Sequence, residues 1–439
     1  MTSLKKGRFI LGEDQITMVT CVVVVFLAQI SEKTNSIAIM LLGYLLALLL
    51  TLAGNPSTLM AMMLFFLSDN SILDVGGVSI QLLIMSLYLV RFSLLRKGRV
   101  YGKTLFAGIL ITLYSAIYIN LGVGYALQGF KLAVMIIFFT EYLSSNGAIT
   151  RSNYEKQLSY AVMGVFFSAI ATICVNPSMF HSSRIALSED SNWNLLGILS
   201  ALLFSHSFMM CFADKTKGRK YVLHAACMAA CALITTSRTA LVVAAVAAVW
   251  ILLFINEKGT FARKSLIIGV IILFGVLLLN GTIQISFVTK LINRIVNPRR
   301  GDISNGRFTL WSRYIDYLIE HKNILWLGHG SPLIDGLTTL TSRKSSVAHN
   351  MLIEQITMYG IIGSLWVLSL YISSFNRIIK VNCTHRNVVL RKKFILNILL
   401  IFVAGMFSHI ITSVLVTTEL YLGLMQYIAL NMKEYSESA

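Results

Sequence analysis

The sequence predicts an all-α, polytopic membrane protein, and three observations carry that prediction. Hydrophobic residues make up 56% of the 439-residue chain and charged residues only 13%, about half the charge that a water-facing protein ordinarily carries. The apolar residues come in long runs separated by short polar turns, the pattern of helices that cross hydrocarbon. All four prolines, Pro56, Pro177, Pro298 and Pro332, fall between those runs, as expected of helices whose backbone must satisfy itself in lipid. A soluble globular domain and a β-barrel are both excluded.

Taken in order, the runs lie near 15–30, 36–53, 57–73, 78–95, 104–121, 125–143, 158–175, 194–213, 221–236, 239–255, 265–283, 350–374, 395–415 and 419–432. Several fall short of the roughly 20 residues that cross a bilayer, so about 12 to 14 transmembrane helices are expected, the shorter runs being completed at the interface or re-entrant. Lys5, Lys6 and Arg8 precede the first run without a small-x-small cleavage site, which predicts an uncleaved first span. Cys21, Cys211, Cys227 and Cys231 sit inside apolar runs at no metal-ligand spacing and read as packing residues. The spans look nearly free of charge, and His206, His224 and His409, in or beside them, suit packing or hydrogen bonding rather than catalysis.

Lysine and arginine gather on the cytoplasmic side of short membrane loops. A cytoplasmic N-terminus puts every short basic turn on that side: Arg91 to Lys103, Arg151 to Lys156, Lys215 to Lys220, Lys258 to Lys264 and Arg377 to Lys393. The net charge of +18 is then largely a topology signal, and nucleic acid is not expected as a partner. The chain reads as one membrane domain, 1–439, with a large external loop over 284–348. That loop opposes the bias, carrying nine Lys and Arg against Asp302, Asp316, Glu320 and Asp335, and an anionic ligand is the natural cause.

The loop also holds the residues best suited to chemistry. Arg307 and Trp311 lie four apart, on one face of a helix; Gly328-His329-Gly330 marks a tight turn; His349-Asn350 opens the next span. An exposed arginine is most often only solvated, whereas one facing a polar cavity can grip two phosphate oxygens at once. Trp311 would anchor an amphipathic helix at the interface. Arg238, in the short turn Thr235 to Thr239, either snorkels to headgroups or faces a cavity for an anion. Arg184, in the loop 176–193 that precedes Asn194-Leu195-Leu196-Gly197, is a third candidate. His349 either closes a loop or takes a proton from a hydroxyl, and Asn350 either fixes its tautomer or caps the helix. No carboxylate has ligand spacing with a histidine, so no metal site is read.

The order of these features, SNGRFTLW, then Gly328-His329-Gly330, then Ser346-Val347-Ala348-His349-Asn350, resembles the second large external loop of the O-antigen polymerase and O-antigen ligase superfamily. Ser237-Arg238-Thr239-Ala240-Leu241 resembles the superfamily's SR pair at the start of a span. The resemblance implies a bacterial inner-membrane glycosyltransferase that moves a glycan from undecaprenyl diphosphate to a sugar hydroxyl in the periplasmic leaflet. It implies diphosphate binding by Arg238, Arg307 and Arg184 and a general base at His349, with Asn350 and Trp311 in support, no metal and no cofactor. The NGR-x-x-x-W segment looks more like the polymerases, which extend lipid-linked repeat units and can work with a chain-length regulator, than like the ligases, which load lipid A-core. A lipid-linked oligosaccharide flippase is the alternative of a different class.

Overall fold

The computed structural model describes residues 13–68, 74–75, 78–94, 102–118, 123–145, 147–177, 193–213, 217–235, 237–254, 264, 306–337, 346–382, 392–406 and 414–436. Among the described residues the chain is all-α apart from a two-residue antiparallel pairing of Asp74–Val75 with Val78–Ser79. Its helices are α1 (Glu13–Thr34), α2 (Ile37–Ala53), α3 (Pro56–Phe65), α4 (Ile80–Tyr88), α5 (Gly102–Ala116), α6 (Val123–Leu143), α7 (Arg151–Val175), α8 (Trp193–Ala213), α9 (Gly218–Ile234), α10 (Arg238–Phe254), α11 (Arg307–Glu320), α12 (Lys322–Leu327), α13 (Met351–Asn382), α14 (Lys392–Met406) and α15 (Val414–Ser436). They follow the apolar runs closely; the run 265–283, His409 and Arg184 lie outside the described residues.

Among the described residues, four helices are long and apolar enough to cross a membrane: α1, α7, α8 and α13. Predicted as a run of 57–73, α3 is ten residues long and continues as a 3-10 turn to Ser68, so as a helix it reaches only about 15 Å, half the hydrocarbon thickness. Pro56 stands at its first position, where no N–H is missed, and Asn55 Oδ1 caps it by accepting from Thr58 N at 2.9 Å.

Packing follows membrane logic, with small residues inward and large ones toward lipid. In α2, Gly43, Ala47 and Thr51 are buried at a four-residue interval while Leu41, Leu45, Leu49 and Leu52 stand exposed. Gly164 of α7 lets Phe65 approach so closely that a Cβ there would lie 1.9 Å from the Phe65 carbonyl oxygen.

Contacts at the two ends of the bundle fix how the helices run relative to one another. At one end, Lys156 of α7 pairs with Asp14 of α1, and Glu155 bridges Arg151 Nε at 3.1 Å and Lys217 Nζ at 2.6 Å, beside the start of α9. Asn382, closing α13, donates to Leu143 O, closing α6, at 2.8 Å. At the other end, Lys33 donates to Val175 O at 2.6 Å, so α1 and α7 run parallel. Arg91 has its own structural task, donating to the carbonyls of Thr51, Leu52 and Gly54 at the C-terminus of α2, where a cation is favoured.

The spans are not as free of charge as their sequence suggests. Glu419 of α15 is fully buried, its Oε2 3.0 Å from His206 Nε2 of α8, while His206 Nδ1 lies 2.9 Å from Gln426 Oε1 and 3.2 Å from the Tyr154 hydroxyl. One carboxylate inside an apolar run is easily passed over in sequence, but it is tolerated in hydrocarbon only with such partners. His206 is accordingly a hydrogen-bonded core residue.

Candidate active site

Three helix N-termini supply the sequence-selected residues. Ser237 caps α10, its Oγ accepting from Ala240 N at 3.3 Å and its carbonyl from Leu241 N at 3.2 Å, which leaves Arg238 as the first residue of the helix. Gly197 of α8 makes this turn possible: a Cβ there would lie 2.4 Å from Thr235 Oγ1 and 3.0 Å from Ser237 Cβ. The Asn194-x-x-Gly197 pattern therefore acts through its glycine, as a seat for the Arg238 turn.

Arg307 is likewise the first residue of its helix. Gly306 precedes it at φ +82, a left-handed turn that glycine adopts without a Cβ clash. Arg307 is half-buried, and its proton affinity is lowered first by burial and second by the charge of Arg238. The two guanidinium groups are thus brought within range of each other, each at the positive end of a helix dipole, in a setting that favours an anion.

Helix α11 is two-sided. Leu310, Tyr314 and Leu318, four residues apart, form its buried stripe, and Leu310 and Tyr314 join Ile334 and Ala348 in a small separate core. The Tyr314 hydroxyl donates to the carbonyls of Pro332 (3.1 Å) and Ser346 (2.9 Å) and accepts from Ile334 N (3.3 Å). Burial pushes its pKa up to about 12, the Ile334 N–H opposing and the Glu354 charge adding to the effect, so Tyr314 is a neutral crosslink and not a base. Trp311 is partly buried and donates from Nε1 to Ala348 O at 2.8 Å. Trp311 thus ties the Arg307 helix to the residue before His349.

His349 adopts φ +52, one of two left-handed non-glycine residues among those described. Its N–H donates to Glu354 Oε1 at 2.6 Å. Asn350 Oδ1 accepts from Leu352 N (3.0 Å) and Ile353 N (3.3 Å), so of its two expected roles the structure gives it the helix cap of α13. Glu354 was missed in the sequence. Its signal was available, since it is the only charged residue in the run 350–374.

The Gly328-His329-Gly330 turn has a structural task. Gly360 interrupts α13 at φ +63, which frees the carbonyls of the preceding turn. His329 N donates to Thr357 O at 2.6 Å, Gly330 N to Met358 O at 2.9 Å, and the Tyr114 hydroxyl to Tyr359 O at 3.0 Å. Tyr114 of α5 and Tyr118, two residues beyond its end, both also donate to Leu327 O. Gly328 (φ +85) lies so near that a Cβ would stand 2.5 Å from Met358 O. The loop is therefore welded to α13, which carries His349 at its head.

The structure thus associates Arg238 with Arg307, and Arg307 through Trp311 with His349. Among the described residues, no three His, Cys, Asp or Glu side chains cluster as metal ligands. Residues 223–368, about a third of the chain, match the family model described as O-Antigen ligase. That segment contains Arg238, Arg307, Trp311, His349 and Asn350, and its likeness is to the O-antigen polymerase and ligase superfamily. No curated protein and no solved structure gives a match.

Proposed function

We propose, from the O-antigen ligase-like segment 223–368, that the protein is a polymerase of O-antigen or a related surface polysaccharide. It acts in the bacterial inner membrane with its site toward the periplasm and its N-terminus in the cytoplasm. The observation that carries this reading is the Arg238–Arg307 pair. Two arginines that each open a helix, near enough for the charge of Arg238 to lower the proton affinity of Arg307, suit a ligand with several anionic oxygens, and a lipid-linked diphosphate is such a ligand.

In the reaction, a hydroxyl of the next lipid-linked repeat unit attacks the anomeric carbon of the growing glycan. The bond from that carbon to the diphosphate oxygen breaks, and its electron pair leaves on undecaprenyl diphosphate. His349 takes the hydroxyl proton. The diphosphate leaves as an anion and needs no proton, so the transfer asks for one base and several cations. Arg238 and Arg307, with Arg184, stabilise the departing charge in the place a divalent cation occupies in other transferases. A chain-length regulator is a fitting partner.

The polymerase reading rests on the likeness of SNGRFTLW to polymerase sequences. A ligase is the second reading, favoured by the description of the matching family. Purified protein in nanodiscs, supplied with lipid-linked repeat units, separates the readings: products lengthen for a polymerase, lipid A-core acquires glycan for a ligase, and neither occurs for a flippase.

A further inference from the structure

We infer that Glu354 is a positioning residue that aims His349 by holding its backbone, an inference that rests on the reading of His349 as the base. Glu354 is 6% exposed and belongs to the first turns of α13. Its Oε1 accepts the N–H of His349 at 2.6 Å, a short bond to a carboxylate of the kind that is stronger than one between neutral groups. The residue so held is left-handed without being glycine, a conformation that needs outside support.

The peptides on either side are held as well. Trp311 takes Ala348 O, and the Asn350 side chain takes the N–H groups of Leu352 and Ile353. With the peptides around it held, the direction in which the His349 side chain leaves the backbone is set, and the Glu354 carboxylate is a fixing contact on His349 itself. A plain helix-capping role would also place an acid here, because carboxylates are favoured at helix N-termini. The two roles differ in what they change. A cap alters stability, whereas an aiming contact alters the chemical step and leaves donor binding intact, since misplacing a reacting group by about 1 Å costs as much as 100-fold in rate.

The experiment compares Glu354→Ala, Glu354→Gln and His349→Ala in the nanodisc assay with lipid-linked repeat units, measuring kcat, KM for the donor and thermal melting. Glu354→Ala is expected to lower kcat by about 10- to 100-fold with donor KM within about twofold. Glu354→Gln, whose amide oxygen can accept the same N–H, is expected to restore kcat to within about fivefold of the parent. An unchanged kcat in Glu354→Ala overturns the inference, as does a loss in which Glu354→Gln gives no recovery. A lowered melting temperature with parental kcat overturns it too, leaving only a helix cap. His349→Ala keeps the two claims apart: parental activity there removes the base, while loss there beside a parental Glu354→Ala removes only the positioning role.

Discussion

Arg238 and Arg307, 69 positions apart in the sequence, each begin a helix, and the charge of the first lowers the proton affinity of the second. Neither helix gains from an arginine at its N-terminus, where the dipole is already positive.

Replacing either arginine should therefore remove product at normal protein level. Arg238→Ala and Arg307→Ala are each expected to lower kcat by about 100- to 1000-fold, as loss of one preorganised charge-stabilising donor does. Lysine should rescue only in part, because a point charge cannot reproduce the two-pronged grip of guanidinium. Polymer formed at the parental rate by both Arg307→Ala and Arg307→Lys would take that residue out of the site.

His349→Ala should lose about two to four orders of magnitude in rate while lipid-diphosphate binding survives, since base and phosphate grip are separate. A base acts when deprotonated, so the parental rate should rise with pH and then level. Arginine stays protonated throughout and adds no limb to the profile. A flat profile, or near-normal turnover by His349→Gln, would send the search to another acceptor.

Gly328→Ala and Gly360→Ala are expected to loosen the joint between the loop and α13. Gly328 at φ +85 faces Met358 O, and a Cβ at Gly360 would stand 2.3 Å from Trp326 O. Strain of about 1–3 kcal/mol per site is expected, read as lower thermal stability and lower activity, although neither residue bears a chemical group. Gly336→Ala has open space around its Cβ and bears only its own left-handed φ of +83, so melting should fall less.

A reporter fused after Gly218 should be cytoplasmic and one near Pro332 external. The contact of Glu155 with both Arg151 and Lys217 puts those basic turns at one end of the bundle, whichever way the bundle faces. Reporters on the same side would overturn the orientation and the external site together.

The sequence by itself determined the membrane class, the helices and their order, because hydrocarbon accepts a backbone only when it is bonded to itself, and that demand is written in run length and proline position. It also marked Arg238, Arg307 and His349 through short local patterns. Only the tertiary structure decided what brings them together. Gly197 seats the Arg238 turn, Trp311 reaches Ala348, and Gly328 docks where Gly360 breaks α13. None of these pairings has a local signal, since each depends on backbone meeting backbone, or side chain meeting carbonyl, between elements distant in the chain. The same reason hid the His206–Glu419 pair, 213 positions apart. A single carboxylate in an apolar run shows that some partner is required, and the fold alone names it.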